Sequence, residues 1–130
     1  MPENWRWVVI EVAMAAHAEQ LVEHGGGQGV RDRTLLESAM ARPRNLANYG
    51  KPDAVALAAS YAFGIARNHP FVDGNKRTAA VVSETFLMLN GYSLTCSDAE
   101  LVVAFLALAA GEMTESELED WFRGHCRPFT

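Results

Sequence analysis

The sequence predicts an all-α bundle of about six helices with a functional loop held between two central ones. Three observations carry that reading. Apolar residues recur at helical spacing, not in the alternation a half-buried strand requires. The segment from 54 to 66 is rich in small residues that let helices approach closely. Capping residues and Gly or Pro breakers divide the chain into lengths ordinary for helices. At 130 residues and 14.2 kDa the chain is expected to form one domain, 1–130, that buries about two-thirds of its unfolded surface.

In chain order, Val8, Val12, Ala15 or Ala16 and Leu21–Val22 give a first helix from about Val8 to His24, which Gly25 terminates. His17 shares a face with Met14 and Leu21 and reads as a core histidine. Gly25-Gly26-Gly27-Gln28-Gly29 lacks the Gly-Lys-Ser/Thr ending of a phosphate loop and follows a helix instead of a strand, so it reads as a cap and loop. Asp32 is an N-cap for a second, short helix to about Met40, with Pro43 as its end. Arg42 to Gly50 then reads as an irregular connection or short hairpin. A third helix, Ala54 to Asn68, carries the small residues and is expected to be central and buried. A fourth, Lys76 to Asn90, is apolar all round (Ala79, Val81, Val82, Phe86, Leu87, Leu89) and is also expected to be buried. Asn90-Gly91 caps it. Tyr92 to Thr95 is a short extended link of at most one strand. Ser97 or Asp98 caps a fifth helix, Ala99 to Ala110, and Thr114 with Glu117 forms a capping box for a sixth.

The two central helices bracket His69-Pro70-Phe71-Val72-Asp73-Gly74-Asn75-Lys76-Arg77-Thr78. A helix start presents unpaired N–H groups and partial positive charge, and a Gly there admits an anion close to the backbone. Lys76 and Arg77 fall in the first turn, where cations oppose the helix dipole; a bound phosphate supplies a reason for them. His69, with an ordinary pKa near neutrality, is placed to take a proton from a hydroxyl attacking that phosphate. Asp73 suits Mg²⁺, which is commonly held by one or two carboxylates plus phosphate oxygens. Phe71 and Val72 read as the apolar plug that fixes the loop. The plainer alternative is a helix–helix connection with Pro70 and Gly74 as breakers and a solvated Lys-Arg pair.

The net charge is −5, which argues against general nucleic-acid binding. No Lys or Arg occurs between Thr78 and Phe122, while eight acidic residues do, so positive charge is concentrated early in the chain and at the loop. A nucleotide or acidic peptide would be drawn there, although the acids taken singly read as solvated helix faces. Hydrophobic content is 49%, with no membrane-spanning run and no amino-terminal signal, giving a cytoplasmic expectation. Cys96 and Cys126 form no C-x-x-C pair, and His17, His24, His69 and His125 show no metal spacing, so reduced thiols and no structural zinc are expected.

The stretch from His69 to Arg77 resembles the signature of the Fic/Doc family, and its Lys-Arg-Thr-Ala ending is similar to the Doc (death-on-curing) branch, the toxins of bacterial toxin–antitoxin pairs. The likeness extends over nearly the whole chain: Gly25-Gly26, Gly29-Val30-Arg31-Asp32, Leu36-Glu37-Ser38-Ala39, Asn68, Phe86-Leu87, Asn90-Gly91 and a closing acidic helix with Trp121. Fic proteins generally transfer AMP from ATP to a target hydroxyl, through a motif ending Gly-Asn-Gly-Arg with a further Arg three residues on. Here Lys76 replaces the second Gly and Ala80 stands where that Arg would be. A Lys side chain occupies room that AMP-transferring relatives leave for nucleotide.

The Doc-type resemblance therefore implies a protein kinase that moves the γ-phosphate of ATP to a threonine of elongation factor Tu and stops translation. Carried over by position, His69 is the general base and Asp73 assists through Mg²⁺ or by orienting the attack. Gly74, Asn75, Lys76 and Arg77 cradle phosphates, and Phe71 anchors the loop. Pro70 and Gly74 make the loop look as much Fic-like as Doc-like. The family's flap, which lays the target segment against the active site, maps by position onto the connection between the second and third helices. No Ser/Thr-x-x-x-Glu-Gly/Asn inhibitory stretch occurs, so the resemblance implies a separate Phd-type antitoxin, docked in an apolar groove. An AMP transferase of broader Fic type and a non-catalytic antitoxin-binding protein are the alternatives.

Overall fold

The computed structural model describes residues 4–129. Six helices follow in order: α1 (Ile10–His24), α2 (Arg33–Tyr49), α3 (Ala54–Asn68), α4 (Asn75–Leu89), α5 (Asp98–Ala109) and α6 (Glu115–Gly124). Two short strands, β1 (Tyr92–Leu94) and β2 (Cys126–Pro128), pair antiparallel with Leu94 opposite Cys126. The all-α reading holds, and α3 is its axis: twelve of its fifteen residues are buried. Its small side chains explain why. A Cβ at Gly64 would lie 3.2 Å from the Ala39 Cα of α2, so the glycine is what allows that backbone approach.

The caps read at Asp32, Ser97 and Thr114 form, and Asp53 caps α3 as well. Asp32 accepts from Leu35 N–H at 3.0 Å and Asp53 from Ala56 N–H at 2.9 Å. Ser97 with Glu100, and Thr114 with Glu117, form complete capping boxes. Each such cap is worth about 1 kcal/mol.

Four expectations need correction. Helix α2 does not stop near Met40; it continues through a buried Pro43 to Tyr49, and Gly50 N–H closes it on Leu46 O. A proline removes one hydrogen bond and crowds the preceding turn, but packing offsets this. Arg42 donates to Ser60 O (3.0 Å) and pairs with Glu115 (2.8 Å), and Arg44 lies over the Trp7 ring. Residues 42–49 are thus helical, not an irregular connection or a hairpin. Helix α1 begins at Ile10, and the positions it buries are Ala13 and His17; Val12 and Val22 are exposed. Helix α4 is not buried all round but on one face, with Met88 and Leu89 exposed; the link Tyr92 to Thr95 holds the one strand expected, β1, which pairs with β2. Val72 faces outward at 55% exposure, leaving Phe71 as the plug.

The amino-terminal segment is sewn to the core. Tyr61 Oη accepts from Val8 N–H (3.0 Å) and donates to Val8 O (3.2 Å), while Asn90 and the Arg6 backbone exchange two bonds of 3.0 Å. Burial pushes the Tyr61 phenol up to about 12, so the fold favours its neutral form. That contribution is complete below the ordinary tyrosine range near 10 and is lost as pH rises from there through about 12. Replacing Tyr61 with Phe is expected to cost about 1–3 kcal/mol at neutral pH, because Val8 loses both partners. It should also flatten the alkaline fall in stability; urea titrations of both proteins at several pH values check this.

Candidate functional site

The loop from 69 to 74 joins the C-terminus of α3 to the N-terminus of α4, and nearly every polar backbone group in it is claimed. Asn75 closes it. Its Oδ1 accepts from Phe71 N–H at 2.9 Å and its Nδ2 donates to Phe71 O at 3.0 Å, so one buried amide satisfies both main-chain groups of a buried residue. Phe71, 1% exposed, stacks on His17 with ring centroids 3.9 Å apart and planes 9° off parallel. His17 Nε2 donates to Asp73 O at 2.8 Å, since a carbonyl can only accept. The core histidine read from the sequence is thus also a prop for the loop.

A second segment runs along the loop's other side. Arg31 and Asp32 N–H both donate to Pro70 O (2.7 and 3.0 Å), Val72 N–H donates to Gly29 O (3.1 Å), and Val30 and Phe71 form an isolated bridge. The glycines before it are there for close approach. A Cβ on Gly26 would fall 2.7 Å from Asp73 Oδ2, and one on Gly27 would fall 2.7 Å from Val72 Cγ1. The element lying against the loop is therefore 26–32, between α1 and α2, not 42–50. Arg31 completes the frame: Nε donates to His69 O at 2.7 Å and Nη2 to Asn68 O at 2.9 Å.

The exposed groups are those assigned to chemistry. His69 sits at the C-cap of α3 with φ 49° and ψ 56°, the one non-glycine residue with positive φ among the described residues. Such conformations cost energy and are held by their surroundings, and they gather at functional sites. Gly74, φ 77°, makes the turn into α4, where a side chain would be strained. Asp73 Oδ1 accepts from Gly74 N–H at 2.8 Å. Lys76 and Arg77 project from the first turn of α4, exposed and without an ion pair among the described residues. Asn75 departs from expectation: its side chain is spent on Phe71, which leaves its backbone alone to face an anion.

His69, Asp73, Gly74, Lys76 and Arg77 line one side of a groove of about 690 Å³, within the range of small-molecule sites. Ala80 continues that wall, and Leu101, Val102, Phe105 and Leu106 of α5 form an apolar wall beside it. A charged cradle beside an apolar wall suits a nucleotide, which is polyanionic at one end and aromatic at the other. A second hollow of about 670 Å³ lies behind Phe71, among Met14, His17, Leu21 and Val30; it contains neither Lys76 nor Arg77. Among the described residues no three His, Cys, Asp or Glu converge as a metal cage. Asp73 still has an oxygen not engaged by Gly74, which fits a Mg²⁺ held mainly by substrate phosphates and not a metal bound by protein alone.

An α-helical frame thus sets Lys76 and Arg77, in the first turn of α4, across a short turn from an exposed His69. Residues 7–87 match the Fic/DOC family, and the chain belongs to that family. It is similar to "Toxin Doc" of Mycolicibacterium smegmatis (strain ATCC 700084 / mc(2)155), 45% identical over 76 residues, which span 56% of this chain and 58% of that protein. It is also similar to "Protein kinase doc" of Escherichia phage P1, 31% identical over 119 residues, 91% of this chain and 94% of that protein. No helix among the described residues is long and apolar enough to cross a membrane.

Sequence reasoning missed the structural duties of Asn75, His17 and Arg31. The signal for Asn75 was its place opening a helix four residues after a buried aromatic. Replacing Asn75 with Ala orphans both polar groups of Phe71 and is expected to cost about 2–4 kcal/mol. A denaturation midpoint equal to wild type would contradict the closure assigned to it.

Proposed function

We propose that the chain is a Doc-type toxin that transfers the γ-phosphate of ATP to a Thr or Ser hydroxyl of a translation factor, with elongation factor Tu as the target, and is neutralised by a Phd-type antitoxin. The observation that carries this reading is the single groove that joins Lys76 and Arg77, at a helix start and without an ion pair among the described residues, to an exposed His69. The names of the two relatives, a toxin and a protein kinase, support it. Phosphoryl transfer is favoured over AMP transfer because Lys76 and Ala80 both line the groove, where an AMP-transferring relative has Gly and Arg.

In this reading His69 accepts the proton of the target hydroxyl as its oxygen attacks the γ-phosphorus. The bond from that phosphorus to the β,γ-bridging oxygen breaks, and ADP leaves. The exposure of His69 lets a macromolecular hydroxyl reach it. The N–H groups of the first turn of α4, with Lys76 and Arg77, offset the charge that spreads over the phosphoryl oxygens during transfer. Asp73, through its free carboxylate oxygen, would hold Mg²⁺, which when bound neutralises phosphate charge. Because Asn75, Phe71, His17 and Arg31 hold the loop, little rearrangement is needed as charge develops.

Intact-mass measurement of elongation factor Tu, and of a bacterial lysate, after incubation with the protein, Mg²⁺ and ATP tests the proposal. A phosphoryl increment is expected, reduced at least about 10²-fold in rate by His69→Ala. An adenylyl increment would move the chain to AMP transfer, and no increment on any protein would contradict an enzymatic role. Arg77→Ala is expected to lower turnover about 10²–10³-fold, as loss of one preorganised donor to a transition-state oxyanion does. Unchanged ATP affinity and turnover in that variant would remove Arg77 from the phosphate cradle.

A further inference from the structure

We propose that Arg31 is the positioning residue for His69, holding the imidazole in place through the backbone without touching substrate. The proposal rests on the role given to His69 above. Arg31 engages three consecutive carbonyls: Asn68 O through Nη2 (2.9 Å), His69 O through Nε (2.7 Å) and Pro70 O through its own N–H (2.7 Å). The first two belong to the end of α3, where terminal carbonyls lack intrahelical partners and the dipole favours a cation. A planar guanidinium, with its donors in a fixed fork, suits two adjacent carbonyls as a lysine ammonium does not.

What the clamp holds is an uncommon backbone. His69 has φ 49° and ψ 56°, a region in which the Cβ of an L residue crowds the following carbonyl and which is left readily unless neighbours enforce it. His69 N–H bonds back to Ile65 O at a long 3.3 Å, so the helix by itself restrains this residue weakly. Rotation of His69 back to a negative φ would swing its Cβ, and the imidazole with it, out of line with the groove. Arg31 does not line that groove, which places it behind the reacting groups. It is also exposed, so its removal leaves no hole in the core.

The test uses the full chain with Arg31→Ala and Arg31→Lys. Residual dipolar couplings across residues 68–71 and the ring signals of His69 are recorded by NMR without nucleotide, alongside steady-state phosphate transfer with ATP. The Ala variant is expected to remain folded by circular dichroism and to show altered couplings and His69 ring signals. It should lose about 10- to 100-fold in kcat, as small misplacements of a reacting group do, with KM for ATP within about twofold of wild type. Lys should recover part of the loss, and added guanidinium ion should restore part of the activity of the Ala variant. Couplings and His69 signals identical to wild type would overturn the proposal, and so would a rise in KM alone, which would make Arg31 a substrate contact. If the wild type transfers no group to any protein, the functional reading fails while the NMR comparison still decides whether Arg31 positions His69.

Discussion

The structure depends on the closure of one short loop by the Asn75 amide. Helix α3 is buried and α4 buries one face against it, and their connection must enter the interior at Phe71 and leave it within a few residues. A buried backbone group without a partner costs about 1–3 kcal/mol, and Phe71 brings a donor and an acceptor. Asn75 satisfies both from within the same turn. Exposed ion pairs such as Arg123 with Asp53, at 3.3 Å, contribute roughly 0–1 kcal/mol and do not compete in scale.

That closure separates two sets of residues. Asn75, Phe71, His17 and Arg31 are engaged with the loop itself: an amide bridge, a stacked ring pair, a bond to Asp73 O and a clamp on the end of α3. His69, Lys76 and Arg77 have side chains left over, facing one groove, although a cation at a helix start and a left-handed histidine are each locally unfavourable. Such local conflicts are common where function sets the residue. The same division explains why the sequence motif is long: half of it builds the loop and half of it faces outward.

Much of this was legible in the sequence because the signals were local. The N-caps at Asp32, Ser97 and Thr114, the small-residue axis at 54–66, the Gly74 turn and the cationic first turn of α4 depend on residues within a few positions of one another. The failures depend on distant partners. Nothing near Pro43 reveals that Arg42 will reach Ser60 and Glu115 and carry α2 onward to Tyr49. The β1–β2 ribbon pairs residues more than thirty positions apart through a three-residue strand that ends in Pro128. The buried face of α1 turned on His17, whose partners Phe71 and Asp73 lie across the fold. Asn75 is a separate case: it lines the groove as its place in the motif suggested, but its side chain is engaged by Phe71, only four residues before it.

The central claim is that the loop is a preformed cradle for the phosphates of a nucleotide, and amide NMR during titration with ATP and Mg²⁺ tests it most directly. The account predicts that the largest shifts fall on Gly74 to Arg77, while the Phe71 amide, bonded to Asn75, moves little and keeps its protection from solvent exchange. Shifts that bypass Gly74 to Arg77, or a Phe71 amide that becomes protected only when nucleotide is present, would contradict it.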